Sequence, residues 1–186
     1  MTNELIQRSI QNEKIQMSLS ETLLHYRLSI VLLIITIFSV TDGFQNISSL
    51  KFDLSYNKVG FIFFLLSVTS FFYQQNRLKL ISLETNQNTA INIEKIIKLA
   101  KQKNWNIELN TKDALVIKTN RPFPYGRYFI SKSWGEKIYV FFKPNKVLVR
   151  SIFDSGRGYD FVISSGENNE NEKNILRVIK PAANSA

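Results

Sequence analysis

The segment Asp154–Asp160 (DSGRGYD) combines two aspartates and one arginine with two glycines. A loop of this composition can hold a phosphate or a cation, because glycine lets the backbone approach a ligand while charged side chains neutralise it. Asp154, Arg157 and Asp160 are therefore the candidate residues of a phosphate or cation loop. Aspartate and glycine are also typical of a tight connection between strands, so a purely structural turn stays open.

A second group mixes cationic and aromatic side chains between residues 118 and 134. Arginines interleaved with aromatic residues can stack on nucleobases or lie at a membrane interface. A loop rim beside ordinary core aromatics gives the same pattern. The candidate residues for binding a lipid or a partner protein are Lys118, Arg121, Tyr125, Arg127, Lys132 and Trp134. Nucleic-acid binding through Arg121, Arg127 and Lys132 is the least favoured interpretation.

The sequence contains few residues or motifs that are typical of a catalytic site. The single histidine, His25, precedes an apolar run, where an interfacial role is the simplest interpretation, and the chain has no cysteine. Disulfides, thiol catalysis and cysteine metal sites are thereby excluded, and no zinc-protease, P-loop, nucleophile-elbow or EF-hand pattern occurs. We predict a non-enzymatic protein without a cofactor or metal. The alternative is a membrane-bound enzyme that handles phosphoesters or nucleotides with the loop 154–160.

The elements that must carry these residues begin with two apolar runs, Leu28–Val40 and Val59–Tyr73. Each is shorter than the roughly 20 residues that a membrane-spanning helix needs. The capping box Ser18–Glu21 extends the first helix to residues 19–41, about 34 Å long, and the second covers 54–73, about 30 Å. Because apolar residues surround both helices on all sides, we predict a transmembrane helical hairpin over residues 19–76.

Two other interpretations of the apolar runs remain. They are a buried helix pair in a soluble protein, and, for the first run, a cleaved signal peptide. Small residues recur seven positions apart, Ser29 with Thr36 and Gly60 with Ser67. Such residues let membrane helices approach closely. We predict that they pack the hairpin against itself, and dimerisation or binding of a partner is the alternative.

The net charge of +9 is unevenly distributed. Residues 1–76 carry five basic and five acidic side chains, so residues 77–186 carry the whole excess. Arg27, Arg77 and Lys79 outweigh Lys51 and Lys58 of the connecting loop, which by the positive-inside rule predicts cytoplasmic termini and an external loop 42–57. A basic domain beside the anionic cytoplasmic leaflet favours lipid headgroups or a partner protein as its ligand.

Residues 77–182 are predicted to form a soluble α+β domain. Ile93, Ile96, Ile97 and Ala100 follow the spacing of one buried helix face over 90–104. The period then changes to two, which predicts an antiparallel meander with strands at 105–109, 114–119, 127–132, 136–143, 146–153 and 161–164. A polar flexible segment 166–172 and a short closing helix Lys173–Ile179 follow. The polar residues 1–18 are predicted to form a frayed or surface-lying juxtamembrane helix.

Two short motifs carry a resemblance: Ser133-Trp134-Gly135-Glu136, and the later strand Leu148–Asp154 (LVRSIFD). With them the chain loosely resembles small uncharacterised two-pass bacterial membrane proteins that have a cytoplasmic α+β domain. The resemblance implies a two-pass protein of the bacterial inner membrane with both termini in the cytoplasm. It names no activity and no catalytic residue.

Overall fold

A computed structural model describes residues 1–47, 54–119, 121–122, 133–154 and 166–180. The chain divides into two compact units, one of residues 1–18 and 78–186 and one of residues 19–77. We call them the sheet unit and the hairpin unit. The sheet unit is discontinuous in sequence, because the entire hairpin unit is inserted between its residues 18 and 78.

The elements follow one another in a mixed order. The helices are α1 (Asn3–Asn12), α2 (Leu19–His25), α3 (Arg27–Ile47), α4 (Leu54–Arg77), α5 (Thr89–Gln102) and α6 (Glu167–Ile179). The strands are β1 (Ile81–Glu84), β2 (Asn106–Asn110), β3 (Ala114–Lys118), β4 (Arg121–Pro122), β5 (Ser133–Trp134), β6 (Glu136–Lys143) and β7 (Lys146–Phe153). The predicted α+β class is confirmed.

The sheet unit contains a five-stranded antiparallel sheet in the order β1-β7-β6-β3-β2. Four of its strands form a meander, and β1 adds to β7 at the edge, with Glu84 opposite Lys146. The two-residue strands β4 and β5 pair separately, with Arg121 opposite Trp134. The predicted strands 127–132 and 161–164 lie outside the described residues.

Helices α5 and α6 cover one face of the sheet and form the main core. Alternate strand residues such as Ile138 and Val140 point to this face, because side chains in a strand alternate between its two sides. Ile96 of α5 and Ile175 and Ile179 of α6 pack against them. All five side chains are fully buried.

Helix α1 packs on β6 of the same sheet unit. Its residues Ile6 and Ile10 are buried, and the carboxylate of Glu13 is bound by Lys143 at 3.2 Å and Lys146 at 3.1 Å. The predicted frayed or surface-lying helix is thus a helix that belongs to the sheet unit. Helix α1 contains only two isoleucines among mostly polar residues, so the local pattern did not indicate that Ile6 and Ile10 are buried.

Helix α6 begins at Glu167, six residues before the predicted start at Lys173. Its first half is rich in asparagine and glutamate, which we interpreted as flexible and polar. Asn168, Asn171 and Glu172 are instead buried. Each of the three makes a hydrogen bond to a strand residue, and none of their buried side-chain polar atoms lacks a partner.

The hairpin unit consists of α2, α3 and α4, with α3 packed against α4. The predicted first helix is broken at Tyr26, where α2 and α3 meet at a bend of 67°. Beside the bend, a ring nitrogen of His25 lies 3.1 Å from the carbonyl oxygen of Gln74, and the Ser29 hydroxyl donates to the Gln74 side chain at 2.9 Å. These cross-helix bonds orient the start of α3.

A helix long and apolar enough to cross a bilayer unaided does not occur in the described ranges, although α2 and α3 up to Ser39 meet that criterion as a bent pair.

Candidate functional site

The predicted site residues are only partly within the described structure. Side chains are described for Lys118, at the end of β3, and for Asp154, directly after β7. Arg121 and Trp134 are placed by their backbone pairing in β4 and β5. The remaining predicted site residues, Tyr125, Arg127, Lys132, Arg157 and Asp160, lie outside the described residues.

Lys118 and Asp154 come from the two separate predicted sites, yet they form an ion pair of 3.1 Å. Lys118 also pairs with Glu108 at 2.8 Å, and Lys137 pairs with the other oxygen of Glu108 at 3.3 Å. We call these four residues the charge cluster. They project from the sheet face opposite α5 and α6, since Lys118 and Lys137 alternate with the core residues Ile117 and Ile138.

The charge cluster stabilises its own ionised state. Burial by itself would raise the pKa of Glu108, but hydrogen bonds and positive charge from Lys118 and Lys137 lower the pKa below its ordinary value. The hydrogen bond to Glu108 raises the pKa of Lys118 against the opposing effect of burial, and Asp154 adds to the rise. Asp154 is itself only 3 % exposed. Its charge is therefore already compensated within the fold.

A second polar group lies at the same end of the sheet, on the face that α6 covers. It was not predicted from the sequence. We call it the buried polar cluster, and its members are Thr119, Glu136, Ser151, Asn168, Asn171 and Glu172. Thr119 follows β3, Glu136 opens β6, and Ser151 lies in β7, while the other three residues come from α6.

Glu136 and Thr119 satisfy each other. The Thr119 hydroxyl donates to Oε2 of Glu136 at 2.5 Å and accepts from the Glu136 backbone N–H at 2.8 Å. The side-chain amide of Asn171 donates to the same carboxylate oxygen and to the Ser151 hydroxyl, both at 3.4 Å. The amide of Asn171 thus joins β6 and β7 to α6.

The second buried carboxylate, Glu172, accepts from the Ser151 backbone N–H at 3.0 Å. Arg150 Nε lies 3.7 Å from the same oxygen. The Ser151 hydroxyl donates to Oδ1 of Asn168 at 2.9 Å. These bonds join β6, β7 and the residue after β3 to one helix, so the cluster holds α6 in register with the sheet.

The chemistry open to the buried polar cluster is narrow. A serine nucleophile needs an adjacent base that removes its proton, and the Ser151 hydroxyl donates to an amide oxygen instead. Among the residues that the structure describes, no three histidine, aspartate or glutamate side chains are grouped as metal ligands. The geometry is that of a satisfied structural network.

The two motifs of the resemblance meet at this end of the sheet. Gly135 and Glu136 of the first motif adjoin the last residues of the second, and the Asp154 N–H donates to the Gly135 carbonyl at 3.1 Å. A serine and a glutamate at inward positions of strands, with a threonine directly after a strand, are a signal of buried polar contacts. The partners on α6 gave no such signal, because their burial depends on residues 17 to 35 positions away.

The hairpin unit contains an apolar groove of about 480 Å³. Its lining includes Leu23, Tyr26, Leu33, Phe71 and Phe72. The surface that lines this groove is almost entirely apolar. Such a groove suits hydrocarbon rather than a charged substrate.

Neither a family model, nor a curated protein, nor a solved structure matches this chain. The resemblance to two-pass bacterial membrane proteins stays an expectation that the two motifs carry.

Proposed function

We propose that the chain is a non-enzymatic two-pass membrane protein of a bacterial inner membrane, whose basic sheet unit faces the cytoplasm and binds an anionic lipid surface or a partner protein. The observation that carries the proposal is the position of the apolar side chains. Among the described residues, all exposed large hydrophobic side chains except Met1, Ile81 and Ile91 belong to the hairpin unit. An apolar surface of this extent needs a cover of lipid or protein.

The interior of the hairpin unit supports the same proposal. Ser29, Thr36, Gly60 and Ser67 are buried, and the Ser67 hydroxyl donates to the Ser29 carbonyl across the two helices at 2.8 Å. Small residues inside and large apolar residues outside are the reverse of a water-soluble helix pair. The burial of these four residues supports packing of the hairpin against itself.

The discontinuous sheet unit supports an even number of membrane crossings. Residues 1–18 pack with residues 78–186, so the chain enters and leaves the hairpin unit from one folded body. A folded body lies on one side of a membrane, which requires that α3 and α4 form one outward and one return crossing.

The orientation follows from charges near the ends of the proposed spans. Lys14, Arg27, Arg77 and Lys79 are near the ends of α3 and α4 that join residues 1–18 and 78–186 in sequence, against Lys51 between the two helices and Lys58 near the start of α4. The residues from 78 onward carry 18 basic and 10 acidic side chains. By the positive-inside rule the sheet unit faces the cytoplasm, where the leaflet is anionic.

The experiment is a topology map of the full chain. Reporters that are active on only one side of the membrane are fused before Met1, after Ala186 and within the loop after Ser49. We expect both termini to report the cytoplasm, the loop to report the outside, and the protein to stay with the membrane after carbonate extraction. Release by carbonate, or termini on opposite sides, would overturn the proposal.

A further inference from the structure

The chain leaves and re-enters the sheet unit through a short two-stranded segment, residues 13–15 against 78–80, which we call the neck. Lys14 pairs with Lys79 in an antiparallel bridge. The Ile15 N–H donates to the Leu78 carbonyl, and the Leu80 N–H donates to the Glu13 carbonyl, each at 2.9 Å. Because the bonds flank the lysines, these form a non-hydrogen-bonded pair, in which opposite side chains lie closest.

The two lysines share the outward face of the neck. Ile15 is 1 % exposed and Leu78 is 5 % exposed, so both point inward. Side chains alternate along a strand, and the neighbouring Lys14 and Lys79 therefore point the other way. Lys79 is exposed and Lys14 is half-buried.

The pairing is electrostatically unfavourable as it stands, because like charges directly opposite each other destabilise a strand pair. The acid of the neck, Glu13, is occupied by Lys143 and Lys146 of the β6–β7 turn. Within the described ranges, neither Lys14 nor Lys79 has an ion-pair partner. Two lysine side chains that leave directly opposite positions of a strand pair form an arrangement that an anion with several acceptor oxygens would stabilise.

We propose that Lys14 and Lys79 together bind the headgroup phosphate of an anionic phospholipid. The inference rests on the proposed function. Lys79 follows Arg77, the last residue of α4, by two positions, so an extended chain keeps it within about 7 Å of the end of the proposed span. Phospholipid phosphate is the anion present at that depth, and juxtamembrane lysines are attracted to anionic leaflets.

The test uses the full chain in nanodiscs that contain spin-labelled phosphatidylglycerol in phosphatidylcholine. The variant Lys14→Ala/Lys79→Ala is compared with Lys98→Ala/Lys101→Ala, which removes the same charge from exposed, unpaired lysines on α5. We expect the neck variant to bind phosphatidylglycerol roughly tenfold more weakly, and the α5 variant less than twofold more weakly. Equal losses in both variants, or no loss in the neck variant, would overturn the inference.

A single substitution separates binding from folding. Lys79→Glu creates an opposite-charge pair with Lys14, so it should raise the unfolding temperature in a neutral detergent while it weakens binding of phosphatidylglycerol. A lower unfolding temperature together with weaker binding would assign the lysines a structural role instead. In detergent, inorganic phosphate that binds as tightly as the lipid would identify a soluble anion site and overturn the choice of lipid.

The topology map distinguishes the two failures. If the chain does not insert with both termini in the cytoplasm, the proposed function and the neck inference both fail. If it inserts as proposed and the two double variants bind phosphatidylglycerol equally, only the neck inference fails.

Discussion

In the sheet unit Phe141 is fully buried between strands and helices, whereas Phe61 of the hairpin unit is 60 % exposed. In the hairpin unit, the small polar residues Ser29 and Ser67 lie in the contact between α3 and α4 instead. Phenylalanine thus takes opposite positions in the two units. This difference in exposure is the one expected if, as proposed, lipid or protein covers the hairpin unit.

The largest expected effect tests this contrast with one residue type. Phe141→Ala should lower the free energy of unfolding of the sheet unit by about 3–5 kcal/mol, through lost burial and the cavity left behind. Phe61→Ala should change it by less than about 0.5 kcal/mol. Both tryptophans, Trp105 and Trp134, lie outside the hairpin unit, so tryptophan fluorescence during denaturation in mild detergent reports on the sheet unit. Similar losses in both variants would remove the contrast.

The next prediction concerns polar groups inside the sheet unit. Glu172→Ala removes the acceptor of the buried Ser151 N–H, which should cost about 1–3 kcal/mol of unfolding free energy. Glu170→Ala, on the exposed side of the same helix, is the control and should stay within about 0.5 kcal/mol. Chemical denaturation followed by tryptophan fluorescence measures both. If the two substitutions cost the same, the buried polar cluster does not hold α6.

Local patterns predicted much of the sheet unit. The strands 136–143 and 146–153 were predicted with their observed bounds, and α5 within two residues at either end. In these elements, apolar residues recur with the period of the helix or strand. The spacing of their neighbours therefore indicates that residues such as Ile96 and Ile138 are buried. The ion pair between Lys118 and Asp154 was not foreseen, although both residues were predicted site residues, because the pairing depends on strand register.

Elements whose burial depends on distant partners were missed. Asn168, Asn171 and Glu172 in the first half of α6 are buried against strand residues, whereas polarity alone indicated a flexible segment. Residues 1–18 belong to the sheet unit through contacts such as Glu13 with Lys143, which are about 130 positions apart. No local periodicity can indicate contacts of this kind.

In the hairpin unit we expect the opposite result, namely that replacing a buried polar residue with a larger apolar residue destabilises the fold. Ser67→Leu places a large side chain between α3 and α4 and removes the hydrogen bond to Ser29, for an expected cost of about 1–3 kcal/mol. Thr69→Leu makes a comparable change on the exposed side of α4 and should be tolerated. Loss of helicity on titration with a denaturing detergent measures both. Equal tolerance of the two leucines would mean that Ser67 does not set the helix contact.

The smallest change in stability is expected from lowering the pH. This change should affect the sheet unit and not the Ser67–Ser29 contact of the hairpin unit. The pKa of Glu108 is lowered from its ordinary value near 4.5. The ion pairs with Lys118 and Lys137 therefore stabilise the sheet unit fully above about pH 4.5, and this contribution disappears as the pH falls through the lowered pKa. The hydrogen bond between Ser67 and Ser29 contains no ionisable group, so the same change in pH leaves that contact of the hairpin unit unaltered.

Glu108→Gln isolates this contribution. We expect the variant to be less stable than the natural chain by about 0.2–1 kcal/mol at neutral pH, the range of partly exposed ion pairs. The difference should shrink towards zero as the pH falls below about 4.5, because protonated Glu108 resembles glutamine. Denaturation at a series of pH values measures it, with Glu94→Gln on the exposed side of α5 as a control that should show no such convergence. A difference that stays constant down to pH 3 would mean that Glu108 acts through packing or hydrogen bonding rather than through its charge.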